Sequence, residues 1–341
     1  MLRPNLLQLP DARALVAAPR APRVSGRRHR RGGTFVQDGS TEPGDTGRRG
    51  PREDRCAGEV RENTAGDSVA GSARRADGDV RLVEDGKQEA PAVLLLGNAA
   101  ASTYCWDPVV PLLASSFRVL RVDLLGNRGS ANPPGGHDVS SQARRVAAAL
   151  DGIGVSRVVV IGHSSGCTVA TAFAEQRPEA VAAVALLDFG PGLADKLPEP
   201  LAVRLLLTRV PGRVLWRLRT KDAVRKAARG SFVRPVEIPD AWIDHVLRMT
   251  HREFVNALRA PVDYLDERSL PDRLRALGLP LLVVFGADDG RWRASSARSY
   301  ECVPGARVEV LPGVGHTSMM EDPETTGRLL AEFATATAAA G

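Results

Sequence analysis

The chain has 341 residues, of which 43% are hydrophobic, 25% charged and 4% aromatic, and its net charge is +6. This length and composition are those of one large globular domain or two small ones, and they exclude a fibre, a coiled coil and a disulfide-rich miniprotein. Uninterrupted apolar runs reach about eight residues, whereas a transmembrane helix needs about 20, so the sequence predicts no membrane span.

The positive charge is concentrated at the N-terminus. Residues 1–31 contain eight Arg and one Asp, a charge of +7, which leaves −1 for the other 310 residues. Without a basic face across the domain, nucleic-acid binding is not expected. The cysteines lie at Cys56, Cys105, Cys167 and Cys302 and form no C-x-x-C pair. This spacing argues against a metal site or a disulfide framework and is typical of a protein from a reducing cytoplasm.

Residues 1–77 are rich in Arg, Gly, Asp, Glu and Ser and show almost no apolar periodicity. Such a segment buries too little apolar surface to offset the entropy of ordering it, so we expect disorder up to residue 77. A targeting peptide is an alternative interpretation, but the apolar run at residues 14–18 is too short for a secretory signal. A non-functional extension is the simpler interpretation.

From residue 78 onward, short apolar runs alternate with segments of helical periodicity. The predicted strands are 80–83, 92–96, 117–122, 157–161, 181–187, 280–285 and 306–311. The predicted helices include 142–150, 168–175 and 325–333. Continuous apolar runs are typical of strands buried on both faces. The pattern therefore predicts an α/β protein whose mostly parallel sheet is flanked by helices.

Residues 188–279 interrupt this alternation, because they contain helical stretches but no convincing buried strand. A helical insertion of this size at strand ends is a natural cover for a site, so we predict a lid at about 190–275. Large apolar side chains recur in it, namely Trp216, Trp242, Met249, Phe254 and Tyr264. Most of them are expected to form the core of the lid, and together they favour a small, largely apolar substrate.

The strand 157–161 runs directly into Gly162-His163-Ser164-Ser165-Gly166, and a helix follows. G-x-S-x-G between a strand and a helix is the pattern of a nucleophile elbow, a sharp turn that exposes the serine hydroxyl. The glycines allow strand and helix to approach closely, and the helix N-terminus favours developing negative charge. Ser164 is therefore the predicted nucleophile, with an ordinary strand-to-helix turn as the alternative.

A catalytic serine needs a base and a group that orients the base. The last two predicted strands are followed by Gly286-Ala287-Asp288-Asp289 and by Pro312-Gly313-Val314-Gly315-His316. Because the carboxyl ends of parallel strands meet at one edge of the sheet, both segments are expected near Ser164. His316 is the predicted base, and the acid is Asp289 or its neighbour Asp288.

From about residue 78 to its end, the chain resembles the lid-bearing members of the α/β-hydrolase family, in which the triad follows the chain order Ser, Asp, His. The resemblance rests on the elbow, on the two segments after the last strands, and on Asp123-Leu124-Leu125-Gly126-Asn127-Arg128-Gly129-Ser130, which is similar to the family's D-L-x-G-x-G-x-S loop. In the family the acid lies three residues after the glycine, which favours Asp289. Some members place it after an earlier strand, so the resemblance also implies Asp188, which follows strand 181–187, as an alternative.

The resemblance also implies an oxyanion hole made of two backbone amides. One belongs to Ser165. The other lies in the loop after strand 92–96, which reads Gly97-Asn98-Ala99 where relatives usually carry His-Gly. Matching the glycines assigns this donor to Asn98, which we adopt, whereas counting back from Trp106 assigns it to Ala99.

Together these residues predict a serine hydrolase without cofactor or metal that cleaves an ester, lactone or thioester of a small molecule through an acyl-enzyme. Serine at position 164 excludes the aspartate nucleophile of related dehalogenases and epoxide hydrolases. An acyltransferase or a C–C bond hydrolase with the same triad is an alternative, and so is an inactive ligand-binding homologue.

Overall fold

One β-sheet organises the part of the chain that the computed structural model describes, residues 73–77, 80–98, 102–127, 130, 133 and 135–338. Its eight strands are β1 (Ala73–Asp77), β2 (Val80–Asp85), β3 (Ala92–Leu96), β4 (Arg118–Asp123), β5 (Val158–His163), β6 (Val181–Leu187), β7 (Leu281–Gly286) and β8 (Arg307–Leu311). Their order across the sheet is β1-β2-β4-β3-β5-β6-β7-β8. The β1–β2 and β2–β4 pairs are antiparallel and the other pairs are parallel. The predicted α/β fold with a mostly parallel sheet is confirmed.

Helices connect the strands and cover both faces of the sheet. They are α1 (Val110–Ala114), α2 (Val139–Gly152), α3 (Gly166–Gln176), α4 (Leu201–Leu206), α5 (Val210–Arg217), α6 (Lys221–Arg229), α7 (Asp240–Arg248), α8 (His251–Glu267), α9 (Leu270–Leu277), α10 (Ser318–Glu321) and α11 (Pro323–Ala338). Short 3-10 helices lie at Thr103–Trp106, Pro178–Ala180, Leu193–Asp195 and Ala294–Cys302.

Two apolar cores lie on opposite faces of the sheet, because successive side chains of a strand point to opposite sides. Leu94 and Leu96 of β3 are buried in one core together with Phe173 of α3. Val93 and Leu95 of the same strand are buried in the other core together with Leu330 of α11. Strands that are apolar on both faces are thus explained by helices on both faces.

The helices α4–α9 lie between β6 and β7, where the sequence predicted a helical lid at 190–275. Two helices of this insertion, α7 and α9, contact different cores. Trp242 and Ile243 of α7 are buried with the core of β3 and α11, whereas Leu270 and Leu274 of α9 are buried in the opposite core with α3. The C-terminal end of the predicted lid is therefore part of the helical layer that covers the sheet.

Strand β1 was not expected, because its sequence Ala-Arg-Arg-Ala-Asp has no apolar pattern. Its backbone pairs with β2 in antiparallel register, from Ala73 opposite Glu84 to Asp77 opposite Val80. Backbone hydrogen bonds at a sheet edge do not depend on apolar side chains. A strand thus occupies the last five residues of the segment predicted to be disordered, and residues 1–72 lie outside the described residues.

In the described part of the chain, no helix is long and apolar enough to cross a membrane. Within the same residues, no group of three or more His, Cys, Asp or Glu side chains is arranged to hold a metal ion. Cys105 and Cys167 are buried, Cys302 is exposed, and all three are free thiols. Cys56 lies outside the described residues.

Candidate active site

Ser164 lies in the turn between β5 and α3 with φ of +51°, in the left-handed region that residues other than glycine rarely adopt. Two backbone hydrogen bonds hold this turn. The amide of Ser164 donates to the carbonyl of Leu187 at 3.0 Å, and the amide of Cys167 donates to the carbonyl of Ser164 at 2.9 Å. The sharp turn leaves the serine side chain half-buried at the carboxyl edge of the sheet.

The two glycines of the elbow are required by close backbone contacts. A Cβ atom on Gly166 would lie 2.2 Å from the carbonyl oxygen of Leu96, in the neighbouring strand β3. A Cβ atom on Gly162 would lie 2.7 Å from the backbone of Cys167. Because a side chain fits at neither position, the pattern G-x-S-x-G follows directly from the packing of α3 against β3 and β5.

Three side chains from the ends of β5, β7 and β8 meet in a line of hydrogen bonds. His316 Nε2 lies 2.9 Å from Ser164 Oγ, and His316 Nδ1 lies 2.9 Å from Asp289 Oδ2. Both His316 and Asp289 are buried. Since β7 pairs with β8 in parallel, the loops that follow these strands lie side by side at the same edge as Ser164.

The carboxylate of Asp289 is held in place by the backbone that follows it. Its Oδ1 accepts hydrogen bonds from the amides of Arg291 at 2.7 Å and Trp292 at 3.2 Å, which leaves Oδ2 directed at His316. Asp288 has an exposed side chain, and its amide donates to the carbonyl of Val314. Of these two adjacent aspartates, the structure therefore places Asp289 at the imidazole.

Asp188, the remaining candidate for the acid, is fully buried but serves a different set of contacts. Its Oδ1 accepts from the amide of Gly286 at 2.9 Å and its Oδ2 from the amide of Ser318 at 2.8 Å. Burial, and secondarily the charge of Asp289, raises the pKa of Asp188 to about 7. This carboxyl group therefore ties the end of β7 to the start of α10.

The imidazole of His316 is kept neutral by its surroundings. Burial lowers its pKa below the ordinary value of 6.5, although the hydrogen bond and charge of Asp289 act in the opposite direction. Glu321 also raises the pKa of His316 and Arg291 lowers it, both by smaller amounts. A neutral imidazole whose Nδ1–H donates to Asp289 presents an unprotonated Nε2 to the serine hydroxyl, which is the form that accepts a proton.

His163, the residue before Ser164, supports the loop of His316. Burial lowers the pKa of His163 to about 3, so the ring is neutral, and its Nε2–H donates to the carbonyl of His316 at 2.8 Å. The nearest oxygen of Asp188 lies 3.9 Å from the same nitrogen, but a neutral ring forms no ion pair with it. Nothing in the G-x-S-x-G pattern indicated this role, because position x is unspecified.

The loop after β3 lies beside the elbow because β3 and β5 are neighbours, with Leu96 opposite Gly162. The residue before Asn98 touches the elbow, because a Cβ atom on Gly166 would lie 2.8 Å from the carbonyl oxygen of Gly97. The carbonyl of Asn98 accepts a hydrogen bond from Asn127 Nδ2 at 3.3 Å, and Asn127 Oδ1 lies 3.2 Å from Nε2 of His245 in α7. Ala99, the alternative donor, lies outside the described residues.

Ser165, the other predicted oxyanion donor, directly precedes the first residue of α3. Its backbone amide therefore lies at the positive end of the helix dipole. Ser164 and Ser165 are both half-buried.

Asp123 anchors the C-terminal end of the loop that follows β3, a role that the sequence did not reveal. The carboxylate is fully buried, accepts from Ser102 Oγ at 2.6 Å and the amide of Thr103 at 2.8 Å, and pairs with Arg81 at 2.8 Å. Ser130 Oγ donates to the carbonyl of Asp123 at 2.6 Å. The first and last residues of the D-L-x-G-x-G-x-S segment thus fix the loops around the elbow.

Glu321 is a second supporting residue that no sequence pattern indicated. Its Oε2 accepts from the amides of Val233, Arg234 and Gly315 at 2.8, 3.0 and 3.0 Å, and its Oε1 accepts from Thr317 at 3.3 Å. The carboxylate is buried. It therefore joins the insertion to the residues on both sides of His316.

Four of the large side chains of the insertion are buried, namely Trp216, Trp242, Met249 and Tyr264. Trp216 stacks on Phe254 with ring centres 4.4 Å apart, and its indole N–H donates to the carbonyl of Met249 at 2.8 Å. Tyr264 donates to Glu175 of α3 at 2.6 Å. These side chains fill the insertion and attach it to the sheet domain.

Comparison with known proteins agrees with this fold. Residues 92–328 match the family model described as the alpha/beta hydrolase family. Two curated relatives are the putative carbamate hydrolase RutD of Klebsiella pneumoniae, 25% identical over 71% of this chain and 90% of the relative, and the putative 2-succinyl-6-hydroxy-2,4-cyclohexadiene-1-carboxylate synthase of Bacillus subtilis, 24% identical over 74% and 94%.

Solved structures give the same result. Cfl2 from Burkholderia cenocepacia is 28% identical, with a TM-score of 0.64 over 76% of this chain and 95% of that one. The haloalkane dehalogenase DbeA from Bradyrhizobium elkani is 22% identical, with a TM-score of 0.67 over 79% and 99%, and shares the fold. Since the family model spans well over half of the chain, this protein belongs to the α/β hydrolase family of enzymes.

Proposed function

We propose that the protein is a serine hydrolase that cleaves a carboxylic ester, lactone or thioester through an acyl-enzyme. The observation that carries this proposal is the line of hydrogen bonds from Ser164 Oγ through His316 to Asp289, in which both links measure 2.9 Å. This arrangement is that of a nucleophile, a general base and the carboxylate that orients the base.

In the first step, Ser164 Oγ attacks the carbonyl carbon of the substrate while His316 Nε2 takes the hydroxyl proton. The neutral state of His316 is available because burial lowers its pKa. Asp289 fixes the tautomer with the proton on Nδ1 and stabilises the imidazolium that forms. The tetrahedral intermediate then collapses, and His316 returns the proton to the leaving alcohol or thiol.

The oxyanion of the intermediate would accept hydrogen bonds from the backbone amides of Ser165 and Asn98. The position of Ser165 at the start of α3 supports this role, because the helix N-terminus adds a favourable dipole. The register of β3 beside β5 supports the role of Asn98. Removing one donor of this kind typically costs about 2.7 to 4 kcal/mol of transition-state stabilisation.

Water completes the reaction by attacking the acyl-enzyme, with His316 again acting as base and then as acid. The cycle needs no cofactor or metal. A small, largely apolar substrate beneath the helical insertion, which would act as a lid, is supported by the apolar side chains that fill the insertion. By its name, the carbamate hydrolase among the relatives acts on a related carbonyl compound.

A fluorophosphonate probe, which labels activated serines, tests the proposal. We expect one covalent adduct by intact mass on the wild-type protein and none on Ser164→Ala. Ser156→Ala is the matched control, because Ser156 is an exposed serine ahead of β5, and it is expected to label normally. A folded wild-type protein that takes up no probe would contradict the proposal and favour an inactive ligand-binding homologue.

If Ser164 is labelled, a series of p-nitrophenyl esters of increasing acyl length measures the size of the acyl site. Product analysis in the presence of a competing alcohol then separates hydrolysis from acyl transfer. Release of free acid alone supports the hydrolase, whereas dominant transfer to the alcohol contradicts it in favour of an acyltransferase.

A further inference from the structure

Exposed apolar side chains are concentrated in one short stretch of the insertion. Residues 201–218 contain six large apolar side chains that are 42–71% exposed, namely Leu201, Leu205, Val210, Val214, Leu215 and Leu218. Elsewhere in the described residues, exposed large apolar side chains are limited to Leu112, Val233 and Val310. Exposed apolar side chains concentrated in this way are typical of a site that contacts a partner or a membrane.

The geometry of α5 directs this surface away from the protein. At 3.6 residues per turn, Val210, Val214 and Leu218 follow one another along one side of the helix. Gly212 and Trp216 lie on the opposite side and are buried. The contacts of Trp216 with Phe254 and Met249 hold that side against the rest of the insertion, so the apolar side faces outward.

The neighbouring helix α4 is held against α5 and carries two further exposed apolar side chains. The carbonyl of Leu206, at the end of α4, accepts from Nε2 of His251 at 2.6 Å. A Cβ atom on Gly212 would lie 2.3 Å from that carbonyl oxygen, so the two helices are in close contact. Leu201 and Leu205 are one helical turn apart and are both exposed.

The charged side chains within this stretch all have one sign. Residues 200–219 include five arginines and no Asp or Glu. Arg204, Arg209, Arg213 and Arg217 are exposed, and none of them forms an ion pair with a carboxylate of the described residues. Arg219 instead donates to backbone carbonyls of the insertion, including that of Leu247 at 2.6 Å. The helical wheel places Arg209, Arg213 and Arg217 between the exposed and the buried side of α5.

We propose that residues 201–218 dock the protein on an anionic lipid surface. Val210, Val214 and Leu218 would enter the boundary between headgroups and acyl chains, and the arginines would contact the anionic headgroups. Charge complementarity selects this occupant, because a second copy of the same surface would oppose arginines to arginines. The inference concerns binding and does not require the proposed hydrolysis.

Vesicle flotation with the full chain tests this inference. Vesicles of phosphatidylcholine alone are compared with vesicles that contain roughly 30% phosphatidylglycerol, at about 50 and about 500 mM salt. We expect binding to the anionic vesicles at low salt, weaker binding at high salt, and weak binding to phosphatidylcholine. Ser164→Ala is expected to bind like the wild type, which separates this result from failure of the proposed chemistry.

Two triple variants assign the binding to this surface, because the eight arginines of residues 1–31 also attract anionic lipid. Val210→Ser/Val214→Ser/Leu218→Ser and Arg209→Gln/Arg213→Gln/Arg217→Gln are each expected to lower vesicle partitioning at least tenfold. Val310→Ser is the control, because Val310 is 45% exposed on strand β8, and it is expected to bind normally. Thermal melts should show all variants folded, since the substituted side chains are exposed.

Three results would overturn the inference. The first is a folded wild-type protein that binds no vesicle at low salt. The second is full retention of binding by both triple variants, which would assign the attraction to another part of the chain. The third is a change from dimer to monomer, measured by light scattering, in the variant Val210→Ser/Val214→Ser/Leu218→Ser while its vesicle binding stays unchanged. This result would identify the surface as a contact between copies of the chain.

Discussion

Asp289 and Asp188 follow the neighbouring strands β7 and β6, but only Asp289 has an oxygen directed at His316, 2.9 Å from Nδ1. Both oxygens of Asp188 accept backbone amides, those of Gly286 and Ser318. The charge of Asp289 contributes to the raised pKa of Asp188, and yet these two buried carboxyl groups have separate contacts. One orients an imidazole, and the other joins a strand to a helix.

This division predicts that two matched substitutions affect different properties, one the activity and the other the stability. Asp289→Asn should lower kcat by about 10⁴-fold, because an amide favours the wrong tautomer of His316. Asp188→Asn should instead lower the free energy of unfolding by about 1 to 3 kcal/mol, because its NH2 group would face an amide donor. Steady-state kinetics and urea denaturation measure the two effects. Equal loss of kcat in both variants would contradict the assignment of Asp289.

Gly166→Ala should disrupt both stability and activity. The added Cβ would lie 2.2 Å from the carbonyl oxygen of Leu96, so strand β3 and the loop that carries Asn98 must move. Overpacking of this kind costs about 1 to 3 kcal/mol, which urea denaturation should detect together with a lower kcat.

Gly192→Ala is the matched control for this substitution. Gly192 has extended backbone with φ of −163°, and nothing lies within 4 Å of the position of an added Cβ. Its stability and kcat should equal those of the wild type. A Gly166→Ala protein as stable and active as Gly192→Ala would show that α3 does not approach β3 this closely.

Glu321→Gln should loosen the loop of His316. The carboxylate accepts four backbone amides, and a glutamine places an NH2 group against some of these donors. We expect the free energy of unfolding to fall by about 1 to 3 kcal/mol and kcat to fall more than KM changes. Glu324→Gln, an exposed glutamate in α11, serves as the control and should match the wild type. Unchanged melting of Glu321→Gln would argue against this role.

His163 predicts a specific dependence of stability on pH. Its pKa is about 3 in the folded protein and near 6.5 in the unfolded chain, so only the unfolded chain takes up the proton between these values. Folding is therefore favoured above pH 6.5 and loses about 2 kcal/mol from this group between pH 7 and pH 5. Urea denaturation of wild type and His163→Gln at both pH values measures the difference.

Asp188 changes the free energy of unfolding in the opposite direction over the same pH range. Its pKa is raised to about 7 in the folded protein, so the folded protein takes up this proton before the unfolded chain does. It is present in both proteins, so the difference between them isolates the histidine. We expect His163→Gln to lose less stability than the wild type on acidification. Equal losses in the two proteins would mean that His163 is protonated in the folded state.

The alternation of strands and helices was predictable from the sequence because it depends on neighbours along the chain. Side-chain period is a local property, so apolar runs located seven of the eight strands of the described residues, all except β1. The elbow is local as well, since strand, turn and helix are contiguous from Val158 to Gln176. The position of Ser164 in a strained turn follows from those residues alone.

Contacts between distant residues required the folded chain. Asp289 and His316 are 27 residues apart, His316 and Ser164 are 152 apart, and the register of β6, β7 and β8 brings Asp289 rather than Asp188 to the imidazole. The same holds for Glu321, which contacts amides 88 and 87 residues earlier. Such pairings depend on how helices and strands pack, and packing is a property of the whole core that no single segment of sequence contains.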